Sequence, residues 1–386
     1  MNEALISSEV LRWARERAGL EPVRLAEKLH IKLDKLMLWE RGEKRPTFLQ
    51  AQKLAKVLQI PFGYLFLPYP PTEAIPIPDL RTIGDHQTHK ISPDLREVLF
   101  DVLLKQDWYR EYLNDQGIEP LPFVGRFDLE TPSGAIVADI VDTLDLTLEH
   151  RYQARDGEEF LRLLMVKAED AGIMVMRSGI VGSNTHRALD VHEFRGFAIC
   201  DDFAPVVFLN GKDAKAAQIF TLIHELAHIW LGLSGISDLS LEVRSSDVHV
   251  VSERLCNAVA AEVLVPEQIL RERWSKQKTL DENARELAAF FRVSSVVIAR
   301  RGADLRLVEW NDYYTFYRKQ ANQWRTQKKG DGGSPYRTIP VRNGRHFTEA
   351  VVRSALEQRL LLRDAGKLLG LHPSNIGNLG REIGVI

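Results

Sequence analysis

The residues with the clearest chemical potential are His224-Glu225-Leu226-Ala227-His228. Two histidines four positions apart on a helix stand about one turn apart, so both imidazoles project from one face and can reach a single divalent cation. Glu225, beside the first histidine, is placed to take a proton from water next to that cation. The neighbours Phe220, Leu222, Ile223, Leu226, Ala227, Ile229 and Trp230 are apolar, which predicts a largely buried helix. Unpaired His, Glu and His would be costly there unless something binds them. Two incidental histidines on a solvated face would not have such neighbours.

Catalytic zinc usually takes three protein ligands and leaves one position open. Glu253, 25 residues after His228, opens a second predicted helix and is the candidate third donor. The competing reading makes it a helix N-terminal acid favoured by the dipole. Asn257 shares its face and can hold a histidine's second ring nitrogen as an acceptor. His249 is the runner-up as a ligand or oxyanion-stabilising group, although a plain loop histidine suits it better. Glu262 falls half a turn out of phase with Glu253 and should face away. The two cysteines, Cys200 and Cys256, have no paired spacing, which argues against a disulfide scaffold and a thiolate zinc site. Cys256 reads as a small core residue. One Zn²⁺ per chain is the expected cofactor, and peptide-bond hydrolysis the expected chemistry.

Several elements must position these groups. Strands are predicted at 173–176, 197–200 and 206–209, and the motif helix at about 214–231. A Ser- and Asp-rich loop follows at 234–247, then the Glu253 helix at 251–264, stopped by Pro266. A substrate strand is expected to add to the sheet edge around 194–200. Gly179-Ile180-Val181-Gly182 is read as a turn. Further helices are predicted at 93–113, 135–146 and 157–171, and helical patterns run from Pro266 to about Arg325. Proline-rich 68–78 reads as a stiff linker and Gly-rich 327–335 as a second break.

The stretches Arg195-Gly196-Phe197-Ala198, Pro205 to Asn210, and Lys215-Ala216-Ala217-Gln218 running into His224–His228 together resemble the ImmA/IrrE family of metallopeptidases. So do Glu253-Arg254-Leu255-Cys256-Asn257 and Ala260 to Pro266. The resemblance spans roughly 133–300 and departs from the family pattern at Val259, where an aromatic residue is usual. It implies that His224, His228 and Glu253 are zinc ligands and Glu225 the catalytic base. It also implies a narrow regulatory protease that cuts DNA-binding repressors or antitoxin-like proteins.

Residues 6–68 pattern as four short helices, ending with Trp39-Glu40-Arg41-Gly42 and Arg45-Pro46 after the third, and resemble a phage-repressor helix-turn-helix. In such a domain Lys32, Lys35 and Asp34 would face bases, with Arg41, Lys44 and Arg45 on the phosphates. Residues 1–69 hold 12 Lys or Arg against 8 Asp or Glu, an excess of four that permits double-stranded DNA binding without demanding it. A partner protein, or the peptidase itself, is the alternative ligand for this domain. The tail, 365–379, has a second helix-turn-helix-like rhythm, read as a packing or oligomerisation pair.

The expected fold is therefore multidomain and mainly α. It comprises an all-α helix-turn-helix domain (1–69), a linker and helical connector (70–130), an α+β zincin-like peptidase domain with a small sheet and the motif helix (131–310), and a helical C-terminal region (311–386). A net charge of −2 excludes a polyelectrolyte that coats nucleic acid, so any DNA binding is local. The N-terminus lacks the apolar core of a signal peptide and no run is long enough to span a membrane, which predicts a cytoplasmic protein. A homodimer is compatible with the sequence. The alternative function is a transcription regulator whose zinc domain senses a signal or partner without proteolysis.

Overall fold

The computed structural model describes residues 3–72, 91–236, 248–324 and 335–385. The predicted breaks at 68–78, 234–247 and 327–335 lie mostly outside them. The chain divides into two units.

The first unit holds α1 (Ser8–Arg17), α2 (Pro22–Leu29), α3 (Leu33–Glu40), α4 (Phe48–Leu58) and a 3-10 turn at Phe62–Phe66. Thr47 caps α4 as its sequence position predicts. Gln50 N donates to Thr47 Oγ1 at 3.3 Å and Thr47 N donates to Gln50 Oε1 at 3.0 Å, which satisfies two helix-start donors at once. Leu11, Leu25, Leu36, Leu54, Leu58 and Leu65 fill the centre. Arg15 grips both oxygens of Glu40 at 2.6 and 3.2 Å, a bidentate pair that ties α1 to α3. The first turns of α5 (Pro93–Asp115) count with this unit and the rest with the second.

The second unit opens with α6 (Ser133–Thr143), α7 (Leu148–Gln153) and α8 (Gly157–Asp170). Next come β1 (Met174–Ser178), β2 (Ile180–Val181), β3 (Asn184–Ala188), β4 (Gly196–Ile199) and β5 (Val206–Asn210), then α9 (Lys215–Trp230) and β6 (Gly235–Ile236). The main sheet runs β1-β5-β4-β6, with β1 parallel to β5 and the other neighbours antiparallel. Every residue of β4 and β5 is buried, because helices cover the sheet. The segment 179–182 is more than a turn: β2 pairs with β3 as a small hairpin, and only Gly182, at φ 54°, makes the reversal. Its two-residue strand and the polar run of β3 carry no hydrophobic alternation, so periodicity could not reveal them.

After β6 follow α10 (Val248–Leu264), α11 (Glu267–Arg273), α12 (Leu280–Phe291), α13 (Ser295–Asp304) and α14 (Trp310–Trp324). The last group is α15 (Pro335–Asn343), α16 (Arg345–Leu356), α17 (Leu362–Leu369), a 3-10 turn at Pro373–Asn375 and α18 (Ile376–Glu382). These helices attach to the sheet through α15 and α16, which pack on β1. The start of α16 is closed from α8: Arg345 N–H donates to Glu169 Oε1. Burial pushes the Glu169 carboxyl up to about 7 in spite of that donor. No helix among the described residues is long and apolar enough to cross a membrane.

Candidate metal centre

The two helices that carry the predicted site are fixed at their ends by buried polar contacts. At the C-terminus of α9, Gly125 N–H donates to Ile229 O at 3.0 Å and Phe127 N–H to Trp230 O at 3.1 Å, taking carbonyls the helix leaves open. The Trp230 ring stacks on Phe123 at 4.3 Å and donates from Nε1 to Asp139 Oδ2 at 2.7 Å. At the C-terminus of α10 two arginines do the same work. Arg151 donates to Val263 O at 2.9 Å and to Leu264 O, and Arg301 donates to Val265 O at 3.2 Å. Cations there complement the helix dipole. Burial pulls Arg151 down to about 10, which leaves it charged at neutral pH. Glu262 pairs with Arg301 and accepts from Glu267 N–H, so it faces away from the cluster as its phase predicts.

Between these anchors α9 and α10 bring His224, His228 and Glu253 together. One ligand atom from each lies within 4.8 Å of the others. His224 Nε2 stands 3.1 Å from His228 Nε2, and each is 3.2 Å from a different oxygen of Glu253. Ligand bonds of about 2.0–2.1 Å in a tetrahedron put neighbouring donors about 3.3 Å apart, so this triangle has the size a zinc ion needs. The three side chains are at most 1% exposed. His224 Nδ1, His228 Nδ1 and both Glu253 oxygens close no well-formed hydrogen bond, although the carboxylate pairs electrostatically with the rings. A buried carboxylate whose two oxygens close no well-formed hydrogen bond and face two imidazole Nε2 atoms fits a bound cation.

The electrostatics show the same tension. Burial pulls His224 down, but the Glu253 carboxylate outweighs it and holds that ring above its ordinary value. Burial lowers His228, and the neighbouring His224 adds to the fall. Burial acts to raise Glu253, but the two imidazoles overcome it and hold the carboxylate down at about 2. Glu253 is therefore an anion throughout the neutral range, as a metal ligand must be.

Glu225 is fully buried on α9 beside His224. Asn257 lies on α10, and its Oδ1 is buried, as is His224 Nδ1, neither within strict hydrogen-bonding geometry of a partner. His249 sits exposed in the first turn of α10 and outside the three-residue cluster. That helix starts at Val248, three residues before the start expected at 251, so Glu253 sits in its second turn and is no N-terminal acid. Burial pushes the Cys200 thiol up to about 12 and Cys256 well above its ordinary value, so both are inert thiols at neutral pH.

Two features differ from the sequence reading or escaped it. The edge of β4 expected to take a substrate strand is occupied by the chain itself: β6 pairs antiparallel with Phe197 and Ala198. The chain reverses directly after α9, through Gly232 at φ 67°, and its next residues satisfy that edge. The second feature is Gly196, where a Cβ would meet Thr221 Cγ2 at 2.5 Å, Phe208 O at 2.9 Å and Glu225 Oε1 at 3.2 Å. This glycine lets β4 lie directly against the polar face of α9. A glycine inside an otherwise apolar strand is the available signal for such an approach.

In the first unit Lys32, Asp34, Lys35, Arg41, Lys44 and Arg45 are all exposed. Lys35 Nζ lies over the Trp39 ring at 5.4 Å, and Arg41 is 3.9 Å from Glu43.

Fold and site define the class: a paired-histidine helix with a glutamate from a second helix, over a small mixed sheet, behind an N-terminal helix-turn-helix. Comparison with known families agrees. The IrrE N-terminal-like domain matches residues 168–302 and a helix-turn-helix family matches 11–65. A family described only as a domain of unknown function matches 343–382. Residues 168–302 thus carry an IrrE-type peptidase domain and residues 11–65 a helix-turn-helix domain, an arrangement similar to that of ImmA/IrrE-type peptidases fused to such a domain. No curated protein matches it.

Proposed function

We propose that this chain is a zinc-dependent endopeptidase of regulatory type that cuts a specific DNA-binding repressor or antitoxin-like protein. The observation that carries the reading is the triangle of His224, His228 and Glu253 with Glu225 beside it. Those three residues would hold one zinc ion, and Asn257 would steady His224. When bound, zinc polarises a scissile carbonyl and acidifies a water molecule. Glu225 takes the proton of the attacking water and passes it to the departing amine. Complete burial of the cluster suits an enzyme that opens for one partner rather than a digestive one.

The first test is metal content. The purified protein should hold one zinc per chain, and His224→Ala and Glu253→Ala should each lose most or all of it. An unloaded wild-type protein after zinc addition would end the hydrolase reading.

Residues 1–69 would bind duplex DNA or a partner protein through Lys32, Lys35, Arg41, Lys44 and Arg45, and their exposure supports this. For DNA, each phosphate contact removed should lower the salt dependence of binding by about one in log–log slope. Lys44→Ala and Arg45→Ala should together lower it by about two, as titration of a selected duplex at several salt concentrations would show. An unchanged slope would remove these residues from the interface.

A further inference from the structure

One helix-turn-helix spacing recurs at three places among the described residues. In the first unit Ala26 is followed by His30 at φ 56°, then Ile31, Leu36 and Trp39. In α12 and α13 Ala288 is followed by Arg292 at φ 57°, then Val293, Ile298 and Arg301. In α17 and α18 Gly366 is followed by Gly370 at φ 62°, then Leu371, Ile376 and Leu379. The offsets from the first residue are 4, 5, 10 and 13 in every case, as these numbers show. Each turn is closed by the common helix C-cap bond: Ile31 N to Ala26 O at 3.1 Å, Val293 N to Ala288 O at 3.2 Å, and Leu371 N to Gly366 O at 2.9 Å. That bond also ends α4 and α8; the spacing of the residues after the turn is what the three places share. The small first residue lets the turn fold back over its own helix. In the third copy a Cβ on Gly366 would meet Leu371 O at 2.6 Å.

The copies differ in what their second helix faces. In the middle one it is used up inside the peptidase domain: Arg301 pairs with Glu262, and Arg300 lies over the Trp310 ring at 4.7 Å. The third copy keeps its outer face open. His372, Ser374, Asn378 and Arg381 are exposed, as are Arg363 and Lys367 on α17. Arg381 donates to Asn378 Oδ1 at 2.6 Å, which orients that amide on the surface. Residues 362–382 hold three Lys or Arg against two Asp or Glu, an excess of one. The turn is also held firmly: Ser183 Oγ donates to Gly370 O at 2.9 Å and Arg342 Nη2 to Leu369 O at 2.8 Å.

We propose that residues 362–382 form a second DNA-reading head, in which α18 enters the major groove of duplex DNA. Ser374 and Asn378 face base edges, and Arg363, Lys367 and Arg381 face phosphates. The shared frame with the N-terminal helix-turn-helix and the basic, polar character of the open face favour DNA over a protein. The packing read from the sequence holds on the inner face, where Ala365, Leu368, Leu369, Ile376 and Leu379 are buried and the pair packs on α16; the proposal concerns the outer face. This inference does not depend on proteolysis.

The test uses the full chain carrying Lys32→Ala, Lys35→Ala, Lys44→Ala and Arg45→Ala, so that the N-terminal domain contributes little. Selection from random duplexes should enrich a motif. Asn378→Ala should weaken binding to that motif about tenfold or more and relax one base position. Lys367→Ala and Arg363→Ala should each lower the salt slope by about one. These side chains are exposed, so an unchanged melting profile is expected and confirms that folding is intact. No enriched motif, or binding indifferent to all three variants, would overturn the proposal. A salt-independent dimer disrupted by Leu361→Ser and Leu362→Ser, which are exposed at the start of α17, would overturn it too and assign the face to a second copy.

Discussion

Replacing Glu225 by Gln is expected to lower processing of the target protein by about 10²–10⁴-fold, the range general-base catalysis supplies. Zinc content should stay at one per chain, because the ligand triangle uses His224, His228 and Glu253. The substitution keeps the side-chain volume and one acceptor oxygen in a fully buried position. With volume and one acceptor kept, the melting temperature should change little. Glu225→Asp keeps the charge but withdraws it by one methylene, and should fall between wild type and Gln. Processing can be followed as disappearance of full-length target when chromosomal wild type is exchanged for each variant. Unchanged processing with zinc retained would remove proteolysis and favour a domain that senses a signal or partner.

The parts of this molecule that were legible in sequence are those set by local spacing. His224 and His228 declare their helix and their shared face, and Glu253 lies at the distance where a second helix can return. Thr47 announces the start of α4. What could not be read depends on contacts between distant segments. β6 is two residues long and exists because β4 offers it an edge, so nothing in Gly235-Ile236 marks a strand. The threefold helix-turn-helix frame was present in the numbering, but its left-handed position is His30, Arg292 and Gly370 in turn. Only the glycine is a recognised signal for that conformation; the other two are held there by the fold around them.

Gly196 is the position where fold and chemistry are most tightly joined, and Gly196→Ala should damage both. The new methyl group would stand 2.5 Å from Thr221 Cγ2 and 2.9 Å from Phe208 O, so something must move. Phe208 O belongs to β5, which pairs with β4 through the Phe197–Phe208 register, and it yields only if the sheet deforms. Thr221 is restrained as well, since its Oγ1 donates to Ala217 O at 3.0 Å. The cheaper response is for β4 to draw away from α9, which also alters the wall against Glu225 Oε1, 3.2 Å from the same methyl position. Overpacking of this kind costs about 1–3 kcal/mol. A displacement of about an ångström at a catalytic group can cost about 100-fold in rate. The expected result is a lower melting temperature and a fall in processing, with zinc still bound. Thr221→Ser removes the clashing methyl group while keeping the hydroxyl that bonds Ala217 O. Added to Gly196→Ala, it should recover part of both losses, and a melting curve and a processing assay on the double variant measure them separately. Full stability and full activity in Gly196→Ala alone would mean that β4 does not fix Glu225.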